Sequence, residues 1–330
     1  MNLINLEKIF LDQPKFRLGQ AKKLIFKDFI EDWSQASVFS LGLRDDLKDK
    51  FSLKIDSQLF IAKDNKSGKA IITLSDGSKI ETALMIHSGN RNTACLSCQV
   101  GCPLACKFCA SGKNFRRNLT VDEILLQAIF WGRYLKSKKI GNLTNIVFMG
   151  SGEPFLNYGN VFKSIEHLNN PDYFDISSRK ISVSTIGIVD GIRKMSNEKN
   201  KVNLAISLHF TDDKTRASIM PGTKKYPLKR LFDAIDYYIE KTNRKVMFEY
   251  MMIKGLNDSI KDAENLAILM KKPLYVVNLI KYNETGAFES SDSKDIINFK
   301  NILKRKGIEV VERFRLNQDV LGACGQLISK

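Results

Sequence analysis

The rhythm of apolar and polar residues changes twice along this chain. In RLGQAKKLIFKDFIEDW, residues 17–33, Leu18, Ala21, Leu24, Ile25, Phe29 and Trp33 recur near one helical stripe. Lys22, Lys23, Lys27 and Asp28 occupy the opposite face. This spacing predicts a small basic helical unit over residues 1–56. In KAIITLSDGSKIETALMI, residues 69–86, β-branched and alternating runs flank SDGS, a hairpin signal. Residues 57–90 are therefore expected to form a β hairpin linker.

Beyond residue 91 apolar runs and helical patterns alternate. A first strand near Cys95 is followed by buried-strand runs at 145–150, 180–185, 202–210, 246–253 and 274–282. The helix after the first strand is the clearest. Thr120 with Glu123 three residues on is a capping box, and Val121, Leu125, Ala128 and Trp131 form one face. Further helices are expected near 158–168, 227–241, 258–271 and 294–306. About six strand–helix units over residues 91–310 argue an α/β fold with a parallel sheet, open or closed into a barrel. Residues 311–330 finish a last strand and form a glycine-flanked tail.

Composition narrows the chemistry. No apolar run reaches the roughly 18 residues of a membrane span. The N-terminus does not read as a secretory signal, so a cytoplasmic protein is expected. The net charge is +16, spread over clusters such as KNFRR and KSKK, which suits a polyanionic partner as well as mere solubility. Only three histidines are present, none near another, which argues against a histidine-built zinc site or hydrolase triad. Five of the six cysteines fall in CLSCQVGCPLACKFC, residues 95–109, and the sixth is Cys324. In a reducing compartment such clustering points to metal ligands or catalytic thiols. Cys102, Cys106 and Cys109 have the spacing C-x3-C-x2-C. Zinc would want a fourth ligand, and no second C-x2-C knuckle follows downstream. Three thiolates suit an iron–sulfur cube better, with one iron left open.

That spacing, with Phe108 before the last cysteine, resembles the cluster motif of radical S-adenosylmethionine (radical SAM) enzymes. The resemblance is closest to the RlmN/Cfr family of RNA adenine methyltransferases. CLSCQVGC, FMGSGEP, STIG, ISLH, IMPG and ACGQL resemble that family's blocks in its order, from about Glu81 to Leu327. A partial (βα)6 radical SAM barrel with a small N-terminal helical domain and a β linker is the fold this implies. The blocks after the expected strands all fall at strand C-terminal ends, the face where barrel sites form.

The resemblance implies that Cys102, Cys106 and Cys109 hold a [4Fe-4S] cluster. It implies that Gly152, Glu153, Ser184, Ser207, Leu208, His209 and Asn283 bind S-adenosylmethionine. Cys324 is the expected methyl carrier. A 5′-deoxyadenosyl radical would abstract hydrogen from that methyl, and the carbon radical would add to an adenine carbon. Cys95 would then attack the Cys324 sulfur, leaving a Cys95–Cys324 disulfide. Glu81 matches the family's proton acceptor; a solvated carboxylate on a strand edge is the plainer reading. The expected substrate is 23S ribosomal RNA, methylated at adenine C2, with transfer RNA as a second substrate. An electron donor such as flavodoxin, no membrane partner and a monomeric state complete the picture.

Three stretches depart from the family. Cys98 stands where a small hydroxyl residue is usual, as an isosteric replacement, a spare resolving thiol or a competing ligand. Leu321 and Gly322 stand where an acidic and a small residue are usual. ETGAFESSDS after Asn283 lacks a proline-rich character. Three alternative readings stay open. They are C8 methylation of 23S ribosomal RNA conferring antibiotic resistance, a radical SAM enzyme with another substrate, and a non-catalytic metal-bearing RNA-binding module.

Overall fold

The structure is a computed structural model and describes residues 4–199, 201–312, 322 and 325–327. Helices α1 (Ile4–Ile9), α2 (Lys15–Phe26) and α3 (Leu41–Lys50) come first. Strands β1 (Ser57–Ile61), β2 (Ser67–Thr73), β3 (Lys79–His87) and β4 (Arg91–Cys95) follow, each antiparallel to the last. A short ribbon of β5 (Gln99–Val100) and β6 (Arg117–Asn118) brackets the cysteine loop and leads into α4 (Val121–Ser137).

Strict alternation then begins. β7 (Asn145–Phe148), β8 (Ile181–Thr185), β9 (Asn203–Ser207), β10 (Val246–Met252), β11 (Tyr275–Lys281) and β12 (Glu309–Glu312) extend the sheet from β4, every pair parallel. The crossovers carry α5 (Tyr158–Asn169), α6 (Val189–Ser196), α7 (Asp213–Ile219) with α8 (Leu228–Thr242), α9 (Ile260–Leu269) and α10 (Ser293–Arg305). Counting α4, this makes six βα units and a closing parallel strand, in one sheet ordered β1-β2-β3-β4-β7-β8-β9-β10-β11-β12. The sheet has two edges, so the barrel is partial. Central strands such as β10 and β11 are mostly apolar because helices cover the outer face.

α4 forms as its sequence dictates. Thr120 Oγ1 accepts from the Glu123 amide at 3.3 Å, and Glu123 accepts from the Thr120 amide at 2.9 Å. Ile124, Leu125, Ala128, Trp131 and Leu135 are buried along one side. Trp131 Nε1 donates to Thr82 Oγ1 of β3, and Arg133 donates to the carbonyls of Ile30 and Leu53. These bonds moor the N-terminal helices to the barrel.

Several elements differ from expectation. The helical stripe toward Trp33 breaks at Phe26, and Phe29 adopts φ +51°. The ring of Phe29 lies so close over Gly132 that a Cβ there would meet it at 2.2 Å. Trp33 instead opens a 3₁₀ turn and donates to the Phe51 carbonyl at 2.7 Å. The expected hairpin holds three strands, its SDGS turn made by Gly77 at φ +78°. α6 and α7, of 8 and 7 residues, are too short for periodicity to show clearly. Strand β9 stops at Ser207 rather than running to residue 210, because His209 turns to φ +56°. Both the Leu208 and His209 amides donate to the Glu249 carbonyl.

Candidate active site

The C-terminal ends of the parallel strands open into one cavity of about 850 Å³, mouth included. One wall is the loop carrying Cys102, Cys106 and Cys109, all of which line the cavity. The loop is held locally and at a distance. Ala105 turns at φ +51°, the Cys109 amide donates to the Cys106 carbonyl at 3.1 Å, and the Lys107 amide donates to the Ile219 carbonyl at 2.9 Å. Phe108 packs edge-on against His209 with centroids 5.2 Å apart.

The three thiols share one electrostatic neighbourhood. Burial, with the neighbouring Cys109, pushes the Cys102 thiol up to about 12 and the Cys106 thiol well above its ordinary value. Bare thiolates are thus disfavoured here, and their ionised form calls for a cationic centre among them. Arg216 supplies a buried positive charge nearby, donating to the carbonyls of Leu208, Tyr226 and Ile186. Among the described residues, no three or more His, Cys, Asp or Glu close on a single metal ion. The thiols face a cavity, as a polynuclear group with three cysteine ligands requires.

The opposite wall holds the cofactor residues expected from the sequence. Gly152, Glu153, Ser184, Ser207 and His209 all line the cavity. Gly152 has φ +107°, and a Cβ there would meet Cys98 Sγ at 2.9 Å. Glu153 accepts from the Phe155 amide at 3.1 Å and the Ile186 amide at 2.9 Å. Burial outweighs those bonds and raises its carboxyl to about 7. His209 Nδ1 accepts from the Met251 amide at 3.1 Å, which leaves the proton on Nε2. Burial, reinforced by Arg216, lowers its pKa to about 3, so the ring is neutral.

Leu208 and Asn283 do not line the cavity. Leu208 is fully buried in the core, and Asn283 is buried just beyond β11. Glu81 sits on β3, outside the lining, with Lys69 Nζ 3.2 Å away. Cys98 is a buried free thiol away from the cavity, raised well above its ordinary value by burial. Cys95 is buried and packed with Ala83 and Leu327, and Met149 joins this small cluster to the cavity.

Cys324 lies outside the described residues, as does Leu321. Residues 325–327, which follow Cys324, are described, and they reach the site. Gly325 lines the cavity, and its carbonyl accepts from the Ala110 amide at 2.8 Å. Ser111 Oγ donates to the Leu327 carbonyl.

One acidic residue escaped the sequence reading. Glu249 of β10 lines the cavity and accepts from Ser184 Oγ at 2.7 Å and Ser207 Oγ at 3.5 Å. The signal was there: a lone carboxylate inside the apolar run VMFEYMMI.

A parallel partial barrel with a three-cysteine loop facing glycine-rich and serine strand ends defines a radical SAM enzyme. The Radical SAM superfamily matches residues 96–267. The chain is 41% identical over 319 residues to a protein of Dictyoglomus turgidum named "Probable dual-specificity RNA methyltransferase RlmN", covering 96% of this chain and 91% of that one. The protein of the same name from Dictyoglomus thermophilum is 42% identical over 318 residues, with the same coverage. The crystal structure of a radical SAM methyltransferase from Sphaerobacter thermophilus superposes with a TM-score of 0.93 at 36% identity, covering 99% of this chain and 97% of that one. The chain belongs to the RlmN/Cfr family of radical SAM RNA methyltransferases and is an enzyme. No helix among the described residues is long and apolar enough to cross a membrane.

Proposed function

We propose that this enzyme methylates carbon C2 of an adenine in 23S ribosomal RNA and in transfer RNA. Cys102, Cys106 and Cys109 hold a [4Fe-4S] cluster, and S-adenosylmethionine binds beside it. Gly152, Glu153, Ser184, Ser207, Leu208, His209 and Asn283 form the surrounding shell, Leu208 and Asn283 by supporting it from behind. Glu249 is added to that shell. Together the two groups supply one-electron chemistry, which an electron-poor ring carbon needs.

The chain's own residues do the rest. Neutral His209 offers its Nε2–H, and Glu153 and Glu249 offer carboxylates to the cationic and hydroxyl groups of the cofactor. Cys324 carries the incoming carbon on its sulfur. Glu81 takes the proton that leaves the adenine carbon. The Cys95 thiolate then attacks the Cys324 sulfur. An S–S bond forms, the bond from Cys324 sulfur to the transferred carbon breaks, and that carbon takes a proton to become the methyl group. The Cys95–Cys324 disulfide is reduced before the next turnover, and flavodoxin is a suitable class of electron donor. The enzyme works as a cytoplasmic monomer.

The observation that carries this reading is the meeting of tail and loop. Gly325, the next residue after Cys324 in the sequence, lines the three-cysteine cavity, and Leu327 packs on Cys95. Mass mapping of ribosomal and transfer RNA, from cells with and without the protein, tests it. A 2-methyladenine that disappears with the gene and returns on complementation is expected. An 8-methyladenine would assign the enzyme to the C8 branch, and unchanged RNA would overturn the reading.

A further inference from the structure

A row of side chains crosses the antiparallel part of the sheet and ends at Cys95. Phe60 opposes Lys69, Lys69 opposes Ala83, and Ala83 opposes Cys95, in register across β1 to β4. Directly opposed residues share a face, and so does Glu81, two residues from Ala83 along β3. Lys69 Nζ lies 3.2 Å from Glu81 Oε1, and the two side chains are only 12% and 9% exposed. On its outer side the same ammonium lies 5.7 Å from the centroid of the Phe60 ring.

An ion pair this withdrawn from water differs from a surface one. Exposed pairs contribute little, whereas removing one partner of a shielded pair leaves an uncompensated charge. The main chain of Glu81 is already fixed, since its carbonyl accepts from Ser97 Oγ at 2.6 Å. Ser97 Oγ in turn accepts from the Ser151 amide at 2.9 Å, in the loop beside Glu153. What remains to be oriented is the Glu81 side chain, and Lys69 is the cation placed to do it.

We propose that Lys69 is a positioning residue for Glu81, its ammonium orienting the carboxylate on the face it shares with Cys95, where it meets the proton leaving the adenine carbon. The inference rests on the methyltransferase reading above. Phe60 belongs to the same device, closing the solvent side of the ammonium.

The test is a double-mutant cycle on the cluster-loaded enzyme, read as methylated RNA per minute at saturating RNA. Lys69→Met is expected to lower kcat roughly ten- to a hundredfold, the scale of a misplaced catalytic group. KM for RNA and iron content should stay at wild-type values, while the uncompensated Glu81 charge lowers the melting temperature. Lys69→Arg should recover most of the loss, because it restores a cation at the carboxylate. In a Glu81→Gln background, Lys69→Met should lower kcat no further. Losses that multiply in the double variant, or a Lys69→Met enzyme with wild-type kcat, would overturn the inference alone. A wild-type enzyme that methylates no RNA would overturn the methyltransferase reading with it. Should Lys69→Met fail to fold, Lys69→Gln, which keeps a polar tip without the charge, carries the same cycle.

Discussion

Ser184 Oγ stands 2.7 Å from Glu249 Oε2, joining β8 and β10 across the intervening β9. Ser207 of β9 completes the group, its Oγ 3.3 Å from Ser184 Oγ. A buried carboxylate is thus held by hydroxyls on two neighbouring strands. Because the acceptor is charged, loss of its shorter bond should cost about 1.5–3 kcal/mol. Ser184→Ala is expected to lower the melting temperature accordingly, and Ser207→Ala less, since its bond to Glu249 is the longer one at 3.5 Å. Calorimetry of the two variants checks the order.

Glu153 makes stability depend on pH. Its folded pKa, about 7, stands above the ordinary 4.5 because burial disfavours the charge. The folded chain therefore binds more protons than the unfolded chain between those values. Its contribution to stability is full below the unfolded pKa and is lost as pH rises through about 7. Metal-free wild type should lose stability from acid toward pH 8, and Glu153→Gln should lose less over the same range. Urea unfolding of both proteins at several pH values reads the difference.

The cysteines divide cleanly by where they point. Cys102, Cys106 and Cys109 line the cavity, whereas Cys98 is buried behind Gly152. Alanine at any of the first three is expected to abolish iron retention and visible absorbance after anaerobic reconstitution. Cys98→Ala should retain both, and at most lose the stability of a small buried side chain. Iron analysis of the four variants separates ligand from filler.

The tail is strapped to the cysteine loop by Ser111 and by the Ala110 amide. Removing the Ser111 hydroxyl deletes one of these two bonds, a net loss of about 1 kcal/mol. Ser111→Ala should speed amide exchange at Gly325 to Leu327 and lower methyl transfer several-fold, with iron content unchanged. Exchange mass spectrometry on the tail peptide measures the first effect.

Much of this arrangement was legible before the structure. The capping box at Thr120 and the alternation beyond residue 91 are local signals that produced the elements expected, and the cysteines of the C-x3-C-x2-C spacing line one cavity. The failures come where tertiary contacts override local pattern. Phe29 leaves the helix because its ring seats on Gly132, about a hundred residues later. β9 ends early because the Leu208 and His209 amides turn to Glu249, a partner set by strand pairing. The same turn carries Leu208 into the core and His209 into the cavity. Glu249 itself was visible as a charge in an apolar strand, but its meaning needed Ser184 and Ser207 beside it. Motif order could pair Cys95 with Cys324, yet only the fold sets Leu327 against Cys95.

The most direct test of the account is to interrupt it at Cys95. With that thiol replaced by alanine, nothing is left to attack the Cys324 sulfur, and the reaction should halt with RNA joined to the protein. Mass spectrometry of the nuclease- and protease-digested product should find an adenine linked through one carbon to the peptide containing Cys324. Free methylated RNA released at the wild-type rate by Cys95→Ala, or an adduct on any other residue, would contradict the account.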